Sequence, residues 1–115
     1  MRLSALLEAR THVRQLLPED SLRVVARVKA LSDKVDMVRS ILLELIEPTR
    51  KEEGCIVYEL LQNKADPTDF TFVEEWLSES SLKSHAASEH LRDVTEKLRA
   101  VVAEAPDIRR YLVVK

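Results

Sequence analysis

The sequence predicts an α+β domain in which one antiparallel sheet carries helices on one face. Three observations predict it: runs with strand periodicity alternate with helical runs, two strand runs are joined by a short turn, and 115 residues suit a single core. Apolar residues make up 45% of the chain and charged residues 33%, which is the balance of a globular protein. We therefore expect one folded domain over residues 21–115 and a helical extension over residues 1–20.

The first two elements follow from their spacing. Residues 1–20 hold leucines that charged side chains interrupt, which predicts a surface helix and not an export signal. After a break at Leu17-Pro18, residues 22–29 alternate between apolar and mostly polar positions. This alternation predicts the first strand, with one apolar face.

A helix is predicted next, with Ser32 or Asp33 as its N-terminal cap. Apolar residues recur there at helical spacing: Val38, Ile41, Leu42, Leu45 and Ile46. Pro48 has no amide to bond the carbonyl of Glu44, so we expect the helix to kink there before it ends at Gly54.

The second half of the chain predicts a hairpin, a helical region and a last strand. Residues 55–63 and 70–77 are the strands of the hairpin, and residues 64–69 form a turn rich in Asp and Pro. One helix, or two short ones broken near Ser88, follows until Pro106. Ile108 to Val114 is the last strand, and the resulting β-α-β-β-α-β order predicts a ferredoxin-like sandwich.

The sheet face away from the helices also carries apolar residues. In the second strand, alternation puts Ile56, Tyr58 and Leu60 on one side and Cys55, Val57 and Leu61 on the other. Because helices cover only one face, we expect a second subunit on the open face, which makes the protein a homodimeric α/β barrel. The alternative is that the helix of residues 1–20 folds back over that face.

Composition excludes several functional classes. A single glycine leaves no Gly-rich phosphate loop, and a single cysteine excludes an intrachain disulfide or a Cys-rich zinc site. The net charge of −2 gives no reason to expect a nucleic-acid or membrane partner. No stretch approaches the roughly 20 apolar residues that span a bilayer, so we expect a soluble, cytoplasmic protein.

Several segments together resemble a known family. They are Glu47 to Cys55, Tyr58-Glu59-Leu60, the Asp66-Pro67 turn, Phe70 to Trp76, and Leu82 with His85 and His90-Leu91. Over residues 22–91 the chain resembles the antibiotic biosynthesis monooxygenases, a family of dimeric α+β barrels, in particular the small quinol monooxygenase type. The resemblance implies a cofactor-independent monooxygenase that uses dioxygen on a small quinol or polycyclic phenol. The alternative is a non-catalytic, stress-responsive dimeric α/β-barrel protein that binds a small hydrophobic ligand.

Glu74, Trp76 and His85 are the candidate catalytic residues. Glu74 and Trp76 share strand parity, and His85 follows Leu82 by three residues, which places it over the same face of the sheet. Glu74 must then be paired, protonated or open to a wet cavity, and His85 is its expected partner. In this hypothesis His85 accepts a proton from the quinol and the indole of Trp76 stacks on its ring; otherwise both residues are simply core.

The candidate substrate-binding residues are Tyr58, Phe72, Asn63 and His90. Tyr58 and Asn63 lie on opposite strand parities, so at most one of them faces the cavity. His85 and His90 are five residues apart, and on a continuous helix their rings diverge by roughly 140°, unlike a zinc-binding pair. We therefore expect no metal and no cofactor, and we interpret Glu52 and its charged neighbours as a solvated helix end.

Overall fold

A four-stranded antiparallel sheet and four helices make up residues 21–115, the part of the chain that the computed structural model describes. In chain order the elements are β1 (Leu22–Lys29), α1 (Val35–Leu43), α2 (Ile46–Arg50), β2 (Cys55–Gln62), β3 (Asp69–Trp76), α3 (Glu79–Ala86), α4 (Glu89–Leu98) and β4 (Asp107–Tyr111). The sheet order β2-β3-β1-β4 confirms the predicted α+β, ferredoxin-like arrangement. The predicted N-terminal helix lies outside the described residues. Within residues 21–115, none of the helices is both long and apolar enough to cross a bilayer.

The strand register determines which side chains lie together on the core-facing side of the sheet. Every second residue of β1 is buried, from Leu22 to Val28. Val24 of β1 pairs with Glu74 of β3, and Glu74 pairs on its other side with Tyr58 of β2. Because side chains alternate along a strand, this row places the three side chains next to one another under the helices.

A β-bulge at the start of β2 corrects the predicted alternation of that strand. The register shifts between Cys55 and Val57, so Cys55 pairs with Trp76 and packs against the core. The expectation that Cys55 faces the same side as Val57 is wrong, because a bulge inserts one residue and reverses the alternation. Burial raises the pKa of the Cys55 thiol to about 12, which agrees with a packing role.

The first helical region is broken, as predicted from Pro48. α1 ends at Leu43, and the amides of Glu44 and Leu45 bond carbonyls only three residues earlier. Pro48 is the third residue of α2, where an absent amide costs nothing. The predicted cap at Ser32 or Asp33 is wrong, because the N-cap position is Lys34 and it has no side-chain cap bond.

The second helical region consists of two short helices. The amides of Ala87 and Ser88 bond carbonyls at the end of α3. The Ser88 hydroxyl then caps α4 by accepting the amide of Leu91 at 3.4 Å. Of the two predicted alternatives, the break near Ser88 is therefore the correct one, and it changes where the side chains on α4 point.

Candidate active site

A cavity of about 150 Å³ lies between the sheet and the helices. Its walls are mostly apolar and include Val24, Ala26, Leu42, Phe72, Val94 and Leu98. Four polar side chains also line it, those of Tyr58, Glu74, His85 and Thr95. A volume of this size holds one benzene-sized molecule, and a few polar groups in an apolar cavity are typical of a binding site.

Glu74 lies in the middle of β3 and is only 5% exposed. Its Oε1 accepts a hydrogen bond of 2.8 Å from the indole nitrogen of Trp76, two residues along the same face. Burial raises the pKa of the Glu74 carboxyl to about 7, against the lowering effect of the Trp76 bond, and the charge of Glu52 raises it further. Glu74 can therefore exchange a proton near neutral pH.

His85 is buried on α3, with its imidazole ring 4.7 Å from the ring of Trp76 and 5.7 Å from that of Tyr58. Its Nδ1 lies 2.7 Å from Oε2 of Glu52. A carboxylate only accepts, so this bond favours the tautomer with the proton on Nδ1 and a lone pair on Nε2. The expected pair between His85 and Glu74 is not formed, because Glu52 bonds the histidine and Trp76 bonds Glu74.

Glu52 also bonds the second histidine of this region. Nε2 of His90 lies 2.8 Å from the same Oε2, and the rings of His85 and His90 are 6.1 Å apart. The expected divergence of the two rings is wrong, because the turn at Ser88 separates the helices that carry them. Glu52 is not a solvated residue, since its side chain is only 15% exposed.

The turn before β2 determines the position of Glu52. Gly54 has φ of 85°, and its carbonyl accepts the amide of Leu77 at 2.8 Å. A Cβ atom at Gly54 would overlap the Ser81 side chain in the first turn of α3. Only glycine allows this approach, which holds the turn against the helix that carries His85. The sequence shows a glycine directly before a strand, but it does not show that Glu52 lies next to His85.

Tyr58 and Phe72 form one aromatic wall of the cavity. Their rings stack with centroids 4.9 Å apart, and the Tyr58 carbonyl accepts a bond from Nε of Arg50 at 3.0 Å. Burial raises the pKa of the Tyr58 hydroxyl, and the charge of Glu74 adds to this effect, so the phenol stays protonated.

Trp76 and Asn63 were also predicted to belong to the site, and the structure places them differently. Trp76 is fully buried behind Glu74 and His85, so it positions both groups. Asn63 is not brought to the cavity. Its Nδ2 donates to Asp69 at 2.9 Å and its Oδ1 accepts the amide of Ala65 at 2.8 Å, so it orders the hairpin turn.

Comparison with known proteins identifies the family. Residues 21–97 match the family model described as antibiotic biosynthesis monooxygenase. The chain belongs to this family. The resemblance predicted from the segments between Glu47 and Leu91 is thereby confirmed.

Two relatives and one solved structure show how similar this chain is to known proteins. The "Uncharacterized protein sll1783" of Synechocystis sp. is 27% identical over 93 residues, which are 81% of this chain and 63% of that protein. The chain thus spans less than two thirds of that relative. The "Putative monooxygenase YcnE" of Bacillus subtilis is 25% identical over 85 residues, 74% of this chain and 90% of that one. A conserved protein from Methanosarcina mazei Go1 shares the fold with a TM-score of 0.78 and 33% identity, over 84% of this chain and 96% of that one.

Proposed function

We propose that this protein is a monooxygenase that oxidises a single-ring hydroquinone with dioxygen, without a bound cofactor, in the cavity beneath α3. The observation that carries the proposal is that an apolar cavity brings together one imidazole and one carboxyl group, those of His85 and Glu74. The family match and the relative named "Putative monooxygenase YcnE" support oxygenation as the reaction class.

The size of the cavity supports a small, single-ring substrate. A volume of about 150 Å³ suits one six-membered ring, whereas a polycyclic phenol would have to displace wall residues. Tyr58 and Phe72 supply flat aromatic surface against which such a ring can pack. Among the two substrate classes that the family resemblance implied, these walls favour the small quinol.

The proposed reaction balances without an external reductant. A hydroquinone and one molecule of dioxygen give a hydroxyquinone and one molecule of water. One oxygen atom is inserted into a ring C–H bond, and the other leaves as water with the two hydrogens that the substrate loses. The quinol supplies all four electrons, two on conversion to the quinone and two from the C–H bond.

His85 is the proposed general base. With its proton on Nδ1 towards Glu52, the imidazole offers Nε2 to a substrate hydroxyl. Removing the hydroxyl proton leaves an electron-rich quinolate, which can transfer an electron to dioxygen. Glu74 orients the substrate by hydrogen bonding, as a donor when its carboxyl is protonated and as an acceptor when it is ionised.

Replacement of the proposed base tests this function. His85→Ala should lower kcat for quinol-dependent oxygen uptake by roughly 10²-fold to 10⁴-fold, the usual contribution of general-base catalysis. Oxygen consumption by the full chain with a panel of monocyclic hydroquinones is the measurement, and the melting temperature shows whether the variant is folded.

The matched control is His12→Ala, because His12 is the third histidine of the chain and has no role in the proposed reaction. We expect this variant to retain wild-type turnover. Full activity in folded His85→Ala would contradict the general-base role. Binding of quinols without any oxygen uptake by the wild type would instead support the non-catalytic alternative.

A further inference from the structure

We propose that Glu52, His85 and His90 form a binding site for a divalent transition-metal ion of the zinc type. Three separate segments supply the site: the turn before β2, the helix α3 and the first turn of α4. Two imidazoles and one carboxylate are a donor set that suits Zn²⁺, Co²⁺ and Ni²⁺.

The distances between the donor atoms are close to those of a metal site. Oε2 of Glu52 lies 2.7 Å from Nδ1 of His85 and 2.8 Å from Nε2 of His90. One ligand atom from each residue lies within 4.8 Å of both others. Ligands around an ion with bonds of about 2.0–2.2 Å lie roughly 3.0–3.5 Å apart, so shifts on the order of 1 Å would let all three share one ion.

The charge of the cluster favours a cation. Within residues 21–115, the ion pairs of Glu52 involve only the two histidines, and no lysine or arginine neutralises its carboxylate. A carboxylate with little exposure and no permanent cation is costly, and a divalent ion would compensate its charge. The side chain of His90 is 24% exposed, which leaves a route for the ion and room for water at its remaining coordination positions.

On one continuous helix the rings of His85 and His90 would point apart, so the sequence predicted no metal site. The turn at Ala87-Ser88 breaks the helix, and His90 can therefore bond the same oxygen of Glu52 as His85 does. Glu52 is 33 residues from His85 and 38 from His90 along the chain, so no local motif marks the donor set.

Metal binding should also change the state of His85. An ion on Nδ1 needs the lone pair there, and the neutral ring then carries its proton on Nε2. This consequence depends on the proposed function, in which Nε2 accepts a proton from the substrate. We expect the metal-bound protein to be inactive towards quinols, whereas metal binding itself is measured without substrate.

Titration of the full chain with Co²⁺ and Zn²⁺ tests the site directly. We expect one Co²⁺ per chain, with visible absorption that Zn²⁺ removes by competition, and Zn²⁺ should shift the ring ¹⁵N signals of His85 and His90. Glu52→Gln and His90→Ala should each weaken binding at least ~100-fold, because the loss of outer partners of a metal ligand alone costs ~10–100-fold.

Two controls complete the experiment. Glu53→Gln changes the exposed neighbour of Glu52, and His12→Ala removes the third histidine; both should bind Co²⁺ like the wild type. Because His90 is on the periphery of the core, circular dichroism should show a native fold in His90→Ala. Equal Co²⁺ binding by wild type, Glu52→Gln and His90→Ala would overturn the proposal, as would the absence of binding to the wild type.

Discussion

Glu74 is a carboxyl group held inside the core by a single strong donor, the indole nitrogen of Trp76. A buried carboxylate normally needs several donors or a cation, because its loss of hydration is large. With one donor, the carboxyl is near the balance between its charged and neutral forms, and its pKa of about 7 reflects that balance. We therefore expect protonation of Glu74 to change the free energy of unfolding.

The free energy of unfolding should fall as pH rises through neutrality because of Glu74. Its folded pKa of about 7 lies above the ordinary 4.5, so the contribution is fully present below pH 4.5 and is lost as pH rises through 7. The loss should reach about 3 kcal/mol by pH 8, since one pKa unit corresponds to about 1.4 kcal/mol. Urea unfolding between pH 4.5 and pH 8 measures it. Glu74→Gln, which keeps an acceptor for Trp76, should remove this slope; an unchanged slope in that variant would contradict the assignment.

Trp76→Phe should raise the pKa of Glu74 above that of the wild type. Phenylalanine preserves the aromatic packing but removes the hydrogen bond that stabilises the ionised carboxyl. We also expect a loss of about 1–3 kcal/mol of stability, because a buried acceptor loses its donor. The pH dependence of unfolding, compared with that of Trp76→Phe/Glu74→Gln, measures both effects. A pKa of Glu74 that does not move would show that the indole bond is unimportant.

At the scale of elements, periodicity predicted what depends on local sequence. The bounds of β1, the hairpin of β2 and β3, the break near Pro48 and the shared face of Glu74 and Trp76 were all visible in the chain. The bulge that turns Cys55 inward and the partner of His85 were not. Both depend on how distant segments meet, and no spacing rule relates Glu52 to a helix 33 residues later.

Gly54→Ala should displace the turn that carries Glu52. Alanine at a φ of 85° costs about 1–2 kcal/mol, and its Cβ would overlap Ser81, so we expect a total loss of about 2 kcal/mol or more. Chemical denaturation measures the loss, and the ring ¹⁵N signals of His85 should report the altered bond to Glu52. In a double-mutant cycle with Ser81→Ala, the two changes should be non-additive; simple additivity would mean that the turn does not press on α3.

At the scale of the whole molecule, the open face of the sheet resembles an interface. Val25 of β1 pairs with Val73 of β3 on that face, and Val57 and Leu61 of β2 lie on the same face in the neighbouring rows. These apolar side chains lie on a face that no described helix covers, which favours association.

We expect a homodimer through this face that buries at least about 1,600 Å², the usual extent of a specific interface. Sedimentation at micromolar concentration should show a dimer for the wild type and a monomer for Val73→Lys, which places a lysine beside Val25 on the central strands of this face. A monomeric wild type would contradict this expectation and favour the alternative in which residues 1–20 cover the face.

The walls of the cavity extend from Val24 on β1 to Ile108 on β4, and all four strands and three of the helices contribute to them. No single element forms the cavity, so an occupant binds only when the sheet and these helices are folded together. Folding and occupancy are therefore a single linked equilibrium. At a concentration 100 times its dissociation constant, an occupant would add about 2.7 kcal/mol to the free energy of unfolding. Calorimetric melting can thus rank aromatic compounds by affinity before any reaction has been detected.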